Sequence, residues 1–512
     1  MHADVTIDCG GLLLAPGFTD IQCNGALGVD FSSEELQPEG VELVSAHLLK
    51  WGVTTYCPTV ITGPRETYAH SRRVFAEVSR RMAARHAAVA AGGTTPAHFA
   101  RSAGLHFEGP FLNPEKKGAH PDAFLVEVGD VAAGGDVEDA DARVLSRISE
   151  AYGGDVDWTS GEVRMVTLAP EMRGGMDATR ALTDRGIVVS IGHTAAKVKE
   201  ADMAVELGAT CITHLFNAMA AFQQRDPGVI GLIGRRPAPV VGEISDDDIQ
   251  FSSDTSERAA DATASARRVA LPVVTPFSQL PQRAAPLKGS LLSKNSLKTM
   301  RLQVSARSAA PIVPRALPCE KTVTARDKAH ASRPFYGLIC DGVHVHPYAV
   351  SMAGETHPAG LVLVTDAMSG LGFSPGTHKF GEQTVRIFAG SEPDAVAKYA
   401  PYPHAVIARS DGAATETLAG VVVSLPDCIN NFLQFTGAPL EQALNAVTRH
   451  PAELIGVSDT VGQLRTGAWA DFVLLERVMS SRSTDSSCAQ IRVLQTWLGG
   501  SPAFTAPARP SL

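Results

Sequence analysis

The feature that most constrains the fold is an alternation of short, β-rich apolar segments with longer amphipathic segments. Apolar residues recur three and four positions apart in residues 38–50, 65–89, 177–186 and 196–208. This spacing is typical of helices. Between such stretches, eight segments are typical of strands: LLLAPGFTDIQ, TTYCPTV, GLHFEGP, VRMVTLAPE, IVVSIGHT, CITHLFN, FYGLICDG and GLVLVTDA. Eight strand and helix units in sequence predict an α/β fold, a TIM-like (β/α)8 barrel.

The amino-acid composition argues against some classes of binding partner. Hydrophobic residues make up 44% and charged residues 19%, as in ordinary globular proteins, and the formal net charge is -9. The overall electrostatic field of an acidic chain does not attract nucleic acid or anionic membranes. In addition, no apolar run approaches the roughly 18 residues that a membrane span requires. The 8 cysteines are scattered, as in proteins with reduced thiols. We therefore predict a cytoplasmic protein with no nucleic-acid and no membrane partner.

The stretch 235–333 interrupts the barrel pattern. It is rich in Ser, Ala, Pro and Arg, has more basic than acidic residues, and shows no sustained period of 2 or 3.6. Such composition predicts a disordered basic insertion. It can be a tail that binds a partner or regulates, a tolerated surface insertion, or an intron translated in error. We assign it no activity.

Strand-like segments at the two ends of the chain lie outside the eight barrel units. TIDCGGLLLAPGFTD begins almost at residue 1, and GAWADFVLLE lies near the C-terminus. We predict that these ends form a small β-sandwich, left incomplete and with an unpaired edge because the N-terminus is short. The predicted division is a sandwich remnant at 1–14, the interrupted barrel at 15–425, C-terminal barrel helices at 426–460 and returning sandwich strands at 461–500.

Three predicted strands end in side chains that can bind a metal ion. Glu108 closes GLHFEGP, His193 lies in IVVSIGHT and His214 lies in CITHLFN. Taken singly, Glu108 can be an exposed loop carboxylate, and a lone strand-end histidine is more often a hydrogen-bonded structural residue. As a set at one barrel rim, a carboxylate and two imidazoles form a three-ligand site with an open position for water. Zinc is our first choice of metal, with iron, cobalt and manganese as alternatives.

Asp366 ends the eighth strand, so in a closed barrel it returns beside the first strand and faces the same mouth. Alone, it can equally be a helix N-cap. Beside a metal site, its carboxylate can take a proton from attacking water and hand it to a leaving amine. His344, in CDGVHVHP, is placed to donate to a developing oxyanion or a substrate hydroxyl. His346 competes for that role, since a strand continuing this far would put both histidines on one face.

Several longer motifs occur together: APGFTDIQCNGALGVDF, GLHFEGPFLNPEKKGAH, IGHTAA, THLFNAM with QRDPGVIGLIG, CDGVHVHP and VTDAMSGLG. In this order, between about Ile7 and Glu476 and apart from 235–333, they resemble the N-acetylglucosamine-6-phosphate deacetylase family. The resemblance implies a metal-dependent amidohydrolase barrel that removes acetate from N-acetylglucosamine 6-phosphate in amino-sugar catabolism. It also implies Glu108, His193 and His214 as metal ligands, Asp366 as the catalytic base and acid, and His344 rather than His346.

The resemblance further implies a set of contacts to the substrate. A guanidinium at Arg225 would bind the phosphate of the neighbouring subunit's substrate, which makes the active form a homodimer. The sugar contacts would come from Ala119, His120, Asn217, Ala218, Asp341, Gly342, Val343, His344, Leu418, Ala419 and Gly420. This chain departs from the family pattern in its short N-terminus, in a longer segment at 388–417, and in Ala419, where Ser is commoner.

The absence of one motif makes the predicted metal site more specific. Many barrel amidohydrolases carry His-x-His after the first strand, but here Gln22, Cys23 and Asn24 stand there. We therefore predict one divalent metal ion per chain and disfavour dihydroorotase-like or hydantoinase-like activity. Two alternatives stay open: a mononuclear amidohydrolase acting on another N-acyl amine, and an inactive metal-binding remnant or scaffold.

Overall fold

The computed structural model describes residues 5–90, 98–130, 137–235, 301–304, 333–380, 383–392, 395–396, 398–409, 413–479 and 489–507. These residues belong to one unit, formed by Met1–Ala238 and Thr299–Leu512. Its strands are β1 Val5–Asp8, β2 Leu13–Pro16, β3 Phe18–Cys23, β4 Gly25–Ala26, β5 Val29–Asp30, β6 Val53–Ile61, β7 Arg101–Ser102, β8 Leu105–Glu108, β9 Val163–Leu168, β10 Val188–Ile191, β11 Cys211–Ile212, β12 Arg301–Val304, β13 Phe335–Ile339, β14 Leu361–Val364, β15 Gly376–Phe380, β16 Gln383–Phe388, β17 His404–Ala408, β18 Ala414–Gly420, β19 Phe472–Met479, β20 Ala489–Leu498 and β21 Ser501–Thr505. The α-helices are α1 Pro38–Leu48, α2 Arg65–Ala90, α3 Val137–Ala151, α4 Gly175–Thr183, α5 Val198–Glu206, α6 Pro347–Thr356, α7 Leu425–Thr436, α8 Leu440–Asn445 and α9 Arg449–Leu454. Short 3-10 helices lie at Leu49–Trp51, Pro114–Lys116, Asp122–Phe124, Gly228–Gly234 and Pro358–Gly360.

Eight parallel strands form a nearly closed barrel, in the order β3, β6, β8, β9, β10, β11, β13 and β14. The ends of the sheet meet where Cys23 bridges Ala367, and the N–H of Asp366 donates to the carbonyl of Gln22 at 2.8 Å. Each strand coincides with one of the eight segments predicted from the sequence, except that β3 and β6 extend one residue beyond a segment end. The predicted TIM-like (β/α)8 barrel is therefore confirmed, and its closure brings the eighth strand beside the first.

The barrel strands are buried on both faces, as parallel strands covered by helices must be. Every residue of β8, β9 and β10 is buried, and most are apolar. The predicted helical stretches are also confirmed, because α1, α2, α4 and α5 occupy them to within a few residues.

A chain of hydrogen bonds crosses the barrel interior beneath the strand ends. The Nδ1 atom of His106 lies 3.1 Å from the carbonyl of Ile21, so it carries the ring proton, and Nε2 accepts from the Thr167 hydroxyl at 2.8 Å. Burial lowers the pKa of His106 to about 4, which keeps the ring neutral in this arrangement. The chain continues to Thr213 at 2.7 Å and Ser190 at 2.6 Å. Polar groups of β3, β8, β9 and β10, and of Thr213 just after β11, thereby satisfy one another.

Strand β19, near the C-terminus, pairs with β2 from the N-terminal region, as the sandwich prediction required. The order of this antiparallel sheet is β2, β19, β20 and β21. A buried ion pair between Arg101 and Asp471 connects it to the barrel, and the Arg101 guanidinium also lies 4.6 Å from the centre of the Trp469 ring. The exact domain bounds stay a prediction.

One short strand, β12, lies within the stretch 235–333, for which the sequence predicts no regular structure. There β12 pairs antiparallel with β1, with Val5 opposite Val304 and Asp8 opposite Arg301. Backbone pairing with a distant strand leaves no trace in local periodicity, which explains why the sequence did not indicate it. Apart from β12 and residues 235 and 333, this stretch lies outside the described residues.

A second antiparallel sheet is inserted between β14 and α7. It consists of β15, β16, β17 and β18 in that order and spans the segment at 388–417 that departs from the family pattern. Val385, Ile387 and Ala405 form its small core. Among the described residues, no helix has both the length and the apolar character needed to cross a membrane.

Candidate active site

Three side chains meet at the carboxyl-terminal rim of the barrel. Glu108 is the last residue of β8, while His193 and His214 each follow by two residues the end of β10 and β11. The Nε2 atoms of the two histidines lie 3.1 Å from the same Glu108 Oε1 atom and 3.0 Å from each other. All three residues are buried. The structure thus brings together the three predicted metal ligands.

These atoms are arranged as ligands of a cation. The Nδ1 atom of His193 lies 2.9 Å from the carbonyl of Lys116 and must donate to it, because a carbonyl only accepts. When the ring carries one proton, its Nε2 lone pair therefore faces a carboxylate oxygen, another acceptor. Lone pairs that converge without a proton between them suit a metal ion, and a backbone carbonyl behind the ring is the usual support of a histidine ligand. The residues present fit a divalent metal.

The electrostatics of the group follow from its burial. Burial alone would raise the pKa of Glu108, but hydrogen bonds and charge from His193 and His214 hold it well below its usual range. Burial would lower the pKa of His214, yet the Glu108 carboxylate raises it above its ordinary value. Within the described residues, the Nδ1 atom of His214 has no hydrogen-bond partner. Glu108 is therefore the anionic centre of the site.

The backbone at the rim takes an uncommon conformation. His193 (φ 49°), His214 (φ 29°) and Asp366 (φ 49°) all have positive φ angles. This left-handed region is disfavoured for residues other than glycine and is often found at functional sites. A threonine hydroxyl beside each residue is hydrogen-bonded to a residue of another barrel strand or of the loop after one: Thr194 to Glu171 at 2.5 Å, Thr213 to Thr167 at 2.7 Å, and Thr365 to Asp20 at 2.6 Å. Tertiary contacts thus support the conformation that aims the three side chains inward.

Asp366 lies beside the three ligands and has a hydrogen-bond donor, Gln22, in common with Glu108. Its Oδ1 atom accepts from Asn24 Nδ2 at 2.8 Å and from Gln22 Nε2 at 3.1 Å. The same Gln22 nitrogen is 3.2 Å from Glu108 Oε2. Burial and the negative charge of Glu108 raise the pKa of Asp366 to about 7. A carboxyl group with this pKa can exchange a proton near neutral pH.

Gln22 and Asn24 therefore have a role that the sequence analysis did not assign. The sequence showed only that they replace the His-x-His pair. In the structure their amides donate to carboxylates, where imidazoles would offer lone pairs to a second metal. Their position after the first strand was the available signal, but its use required knowing that Asp366 lies opposite.

His344 faces the site, and His346 does not. Strand β13 ends at Ile339, so neither histidine lies in a strand. The two-residue period of a strand, which would place both side chains on one face, therefore does not apply to them. His344 Nδ1 is 2.6 Å from Asp341 Oδ2, and the charge of Asp366 also acts on this ring. Burial would lower the pKa of His344, but the Asp341 carboxylate raises it. His346 is exposed and caps α6, accepting from the N–H of Tyr348.

Asp341 organises the turn that carries His344. Its Oδ1 atom accepts from the N–H groups of Val343 and His344, both at 2.8 Å. Gly342 has φ 77°, and a Cβ there would lie 2.8 Å from the Tyr402 ring. The predicted segment 341–344 is thus one compact turn at the mouth, with the carboxylate of Asp341 buried inside it.

His120 is in contact with the metal-ligand group, whereas Ala119 is exposed. The rings of His120 and His193 pack edge to face with centroids 4.4 Å apart, and His120 Nδ1 lies 2.7 Å from the Thr62 hydroxyl. Burial, and then the charge of His193, lower the pKa of His120 to about 3. The loop bearing these residues lies over His193, since a Cβ at Gly118 would be 3.5 Å from its ring.

The other residues predicted to contact the substrate lie on separate segments of the chain. Asn217 and Ala218 lie three and four residues after His214, and the Ala218 carbonyl accepts from the N–H of Thr194 at 3.1 Å. Arg225 is exposed.

Leu418, Ala419 and Gly420 are the last three residues of β18, where Gly420 pairs with Ala405. The next residue, Val421, bridges Ala367 and accepts from the N–H of Met368 at 3.0 Å. The end of β18 is therefore connected to the segment that follows Asp366.

Comparison with known proteins finds relatives that match most of the chain. A protein of Bos taurus and one of Homo sapiens, both named N-acetylglucosamine-6-phosphate deacetylase, are each 34% identical over 483 residues, or 94% of this chain and 84% of the relative. A Caenorhabditis elegans protein of the same name is 32% identical over 96% of this chain and 86% of its own. The chain belongs to the N-acetylglucosamine-6-phosphate deacetylase family. The predicted resemblance is confirmed.

Solved structures support the fold of this deacetylase family member. The N-acetylglucosamine-6-phosphate deacetylase of Pasteurella multocida has a TM-score of 0.58 at 22% identity, covering 97% of this chain and 88% of that one. A variant of the Mycobacterium smegmatis enzyme in complex with N-acetyl-D-glucosamine-6-phosphate has a TM-score of 0.56 at 22% identity, with 96% and 87% covered. In addition, a sequence model described as "Amidohydrolase family" matches residues 434–504.

Proposed function

We propose that this chain hydrolyses N-acetyl-D-glucosamine 6-phosphate to D-glucosamine 6-phosphate and acetate. The observation that carries the proposal is the convergence of Glu108, His193 and His214 beside Asp366, in a chain of this deacetylase family. Amide hydrolysis needs a polarised carbonyl, an activated water and a proton for the leaving amine. The rim of the barrel holds groups suited to each of these.

Glu108, His193 and His214 would hold one divalent ion, with zinc as the first choice and iron, cobalt or manganese as alternatives. When bound there, such an ion supplies Lewis-acid polarisation of a carbonyl and lowers the pKa of water. Gln22 and Asn24 would keep the neighbouring position from taking a second ion, because their amide N–H groups already point at the carboxylates of Glu108 and Asp366.

Asp366 would carry the proton. Its carboxylate would take a proton as water attacks the acetyl carbon. The carboxyl group would then donate that proton to the C2 nitrogen of the sugar as the bond between this nitrogen and the acetyl carbon breaks, which releases acetate and the amine. The Asn24 and Gln22 amides both bind Oδ1, which leaves Oδ2 for this transfer. His344, held by Asp341 through Nδ1, would present Nε2–H to the developing oxyanion or to a sugar hydroxyl.

The remaining predicted residues would bind the sugar phosphate. The sugar would be contacted by Ala119, His120, Asn217, Ala218, Asp341, Gly342, Val343, His344, Leu418, Ala419 and Gly420. Exposed Arg225 suits a guanidinium that reaches the phosphate of a substrate held in a second copy of the chain. We therefore propose a homodimer, and the unbridged thiols of the buried residues Cys23, Cys57, Cys211, Cys340 and Cys428 favour a cytoplasmic location.

Turnover of paired substrates tests the phosphate assignment. We expect Arg225→Ala to lower kcat/KM for N-acetylglucosamine 6-phosphate strongly while leaving the slower hydrolysis of N-acetylglucosamine little changed. Arg173→Ala, which removes another exposed arginine, serves as the control. Equal effects on both sugars would contradict the role of Arg225 and would favour an enzyme for another N-acyl amine. Protein that holds one metal per chain yet releases no acetate would favour the alternative of a scaffold.

A further inference from the structure

Glu171 forms three hydrogen bonds around the segment that carries His193. It stands three residues after β9, in the sequence Leu168-Ala-Pro-Glu171. Its Oε2 atom accepts from the Thr194 hydroxyl at 2.5 Å, and its Oε1 atom accepts from the N–H of Ala195 at 2.7 Å and from Asn113 Nδ2 at 2.9 Å. Both oxygens are thus used, and all three donors lie on segments that flank the metal-ligand group.

Two of these bonds hold the backbone of His193. Thr194 and Ala195 directly follow His193, whose φ of 49° requires support from its surroundings. Asn113 holds the other side, because its own N–H donates to the carbonyl of His193 at 2.9 Å. The Glu171 carboxylate therefore joins the two segments between which His193 is held.

The third bond, to Asn113, is connected to the imidazole ring indirectly. Asn113 uses its Oδ1 atom to accept from the N–H of Glu115 at 2.9 Å, which caps the 3-10 helix Pro114–Lys116. The carbonyl of Lys116, at the end of this helix, accepts from His193 Nδ1 at 2.9 Å. Through Asn113, Glu171 is thus connected to the group that keeps the proton on Nδ1 and the lone pair on Nε2. His214 lacks such a connection among the described residues, because its Nδ1 has no partner.

We propose that Glu171 is a positioning residue for the metal centre, which sets both the backbone conformation and the ring tautomer of His193. It does not reach the three ligand atoms itself. The inference rests on the proposed metal centre but not on the identity of the substrate. Loss of an outer partner of this kind typically costs 10–100-fold in metal affinity.

Metal binding by purified full-length protein tests the role. We expect Glu171→Ala to weaken Zn²⁺ binding roughly 10–100-fold in competition with a chromophoric chelator and to alter the visible spectrum of the Co²⁺-substituted protein. Glu171→Gln keeps one oxygen for Asn113 and Ala195 and should recover most of the affinity. Asn113→Ala should weaken binding too, and less than additively when combined with Glu171→Ala.

Asp157→Ala is the matched control. Asp157 accepts from the hydroxyl and N–H of Thr159 in the same way, but it precedes the opposite end of β9. We expect this variant to bind Zn²⁺ as the parent does, even if its thermal stability falls. Affinity and spectrum unchanged in a folded Glu171→Ala protein would overturn the proposal. So would an equal loss in the control.

The metal-free protein gives a second readout, which stays informative if the chain proves to have another substrate. With ¹⁵N-labelled histidine, NMR should show the Nδ1–H tautomer for His193 in the parent and a mixture of tautomers in Glu171→Ala. An Nε2–H tautomer in the parent would contradict the inference. Failure of acetate release with these results intact would reject the proposed function alone.

Discussion

The side-chain amide of Asn24 donates to the carboxylate of Asp366, with 2.8 Å between Nδ2 and Oδ1. This contact joins the loop after the first barrel strand to the loop after the eighth. It also stabilises the charged form of Asp366, and so it opposes the increase in pKa that burial and Glu108 produce. The replacement of a metal-binding histidine by asparagine is thereby linked to the proton chemistry proposed for Asp366.

We expect Asn24→Ala to shift the acid limb of the pH profile of kcat/KM to higher pH. A general base works only when deprotonated, so activity falls as the pH decreases through the pKa of Asp366. Removing a hydrogen bond to the charged form raises that pKa further. Profiles of the parent and variant with the same metal measure the shift. Superimposable acid limbs would contradict the proposed link.

The metal ligands can be tested without substrate. Glu108→Gln removes the one anionic ligand of the group, so we expect its Zn²⁺ affinity to fall by more than the roughly 10–100-fold typical of an outer partner. His346→Asn changes an exposed histidine that caps α6, and this control should retain one Zn²⁺ per chain after dialysis. Equal metal content in both dialysed proteins would show that the ion binds elsewhere.

Asp20 should make stability depend on pH in a defined direction. Burial raises the pKa of Asp20 from 3.8 to about 6, so the folded protein favours the protonated carboxyl group. The stability that this proton contributes is present below pH about 4 and lost as the pH rises through about 6.

Asp20→Asn keeps an oxygen for the Thr365 hydroxyl but cannot ionise. Relative to the parent, we expect its free energy of unfolding to increase between pH 4 and 7 by on the order of 3 kcal/mol. Urea denaturation at each pH measures the difference, and a constant offset from any lost contact cancels. A difference independent of pH would show that Asp20 has an ordinary pKa in the folded protein.

The ion pair of Arg101 and Asp471 should contribute strongly to folding. Both side chains are buried, so Asp471→Ala leaves an uncompensated guanidinium next to Trp469 and should cost about 3–5 kcal/mol. The exposed pair of Arg65 and Glu66 offers the control, since Glu66→Ala should leave the free energy of unfolding unchanged within error. Similar stability of the two variants would mean that the buried guanidinium finds another partner.

Much of the barrel and the metal-ligand group could be predicted because their signals are local. Each barrel strand is an apolar segment, and Glu108, His193, His214 and Asp366 each lie at or just beyond such a segment. The supporting residues gave no such signal. Glu171 and Asp20 act on segments that meet them only after folding, and the pairing of β1 with β12 depends on residues about 300 positions apart. The choice of His344 over His346 depended on where β13 ends, which periodicity alone could not show.

Acetate release from N-acetylglucosamine 6-phosphate by zinc-loaded protein, with Asp366→Asn as the comparison, tests the proposed reaction and its proton carrier together. We expect acetate and glucosamine 6-phosphate in equal amounts from the parent. We expect a decrease in kcat of roughly 10²–10⁴-fold in the variant, which should still hold one Zn²⁺ per chain. No acetate from the zinc-loaded parent, or full activity in Asp366→Asn, would contradict this proposal.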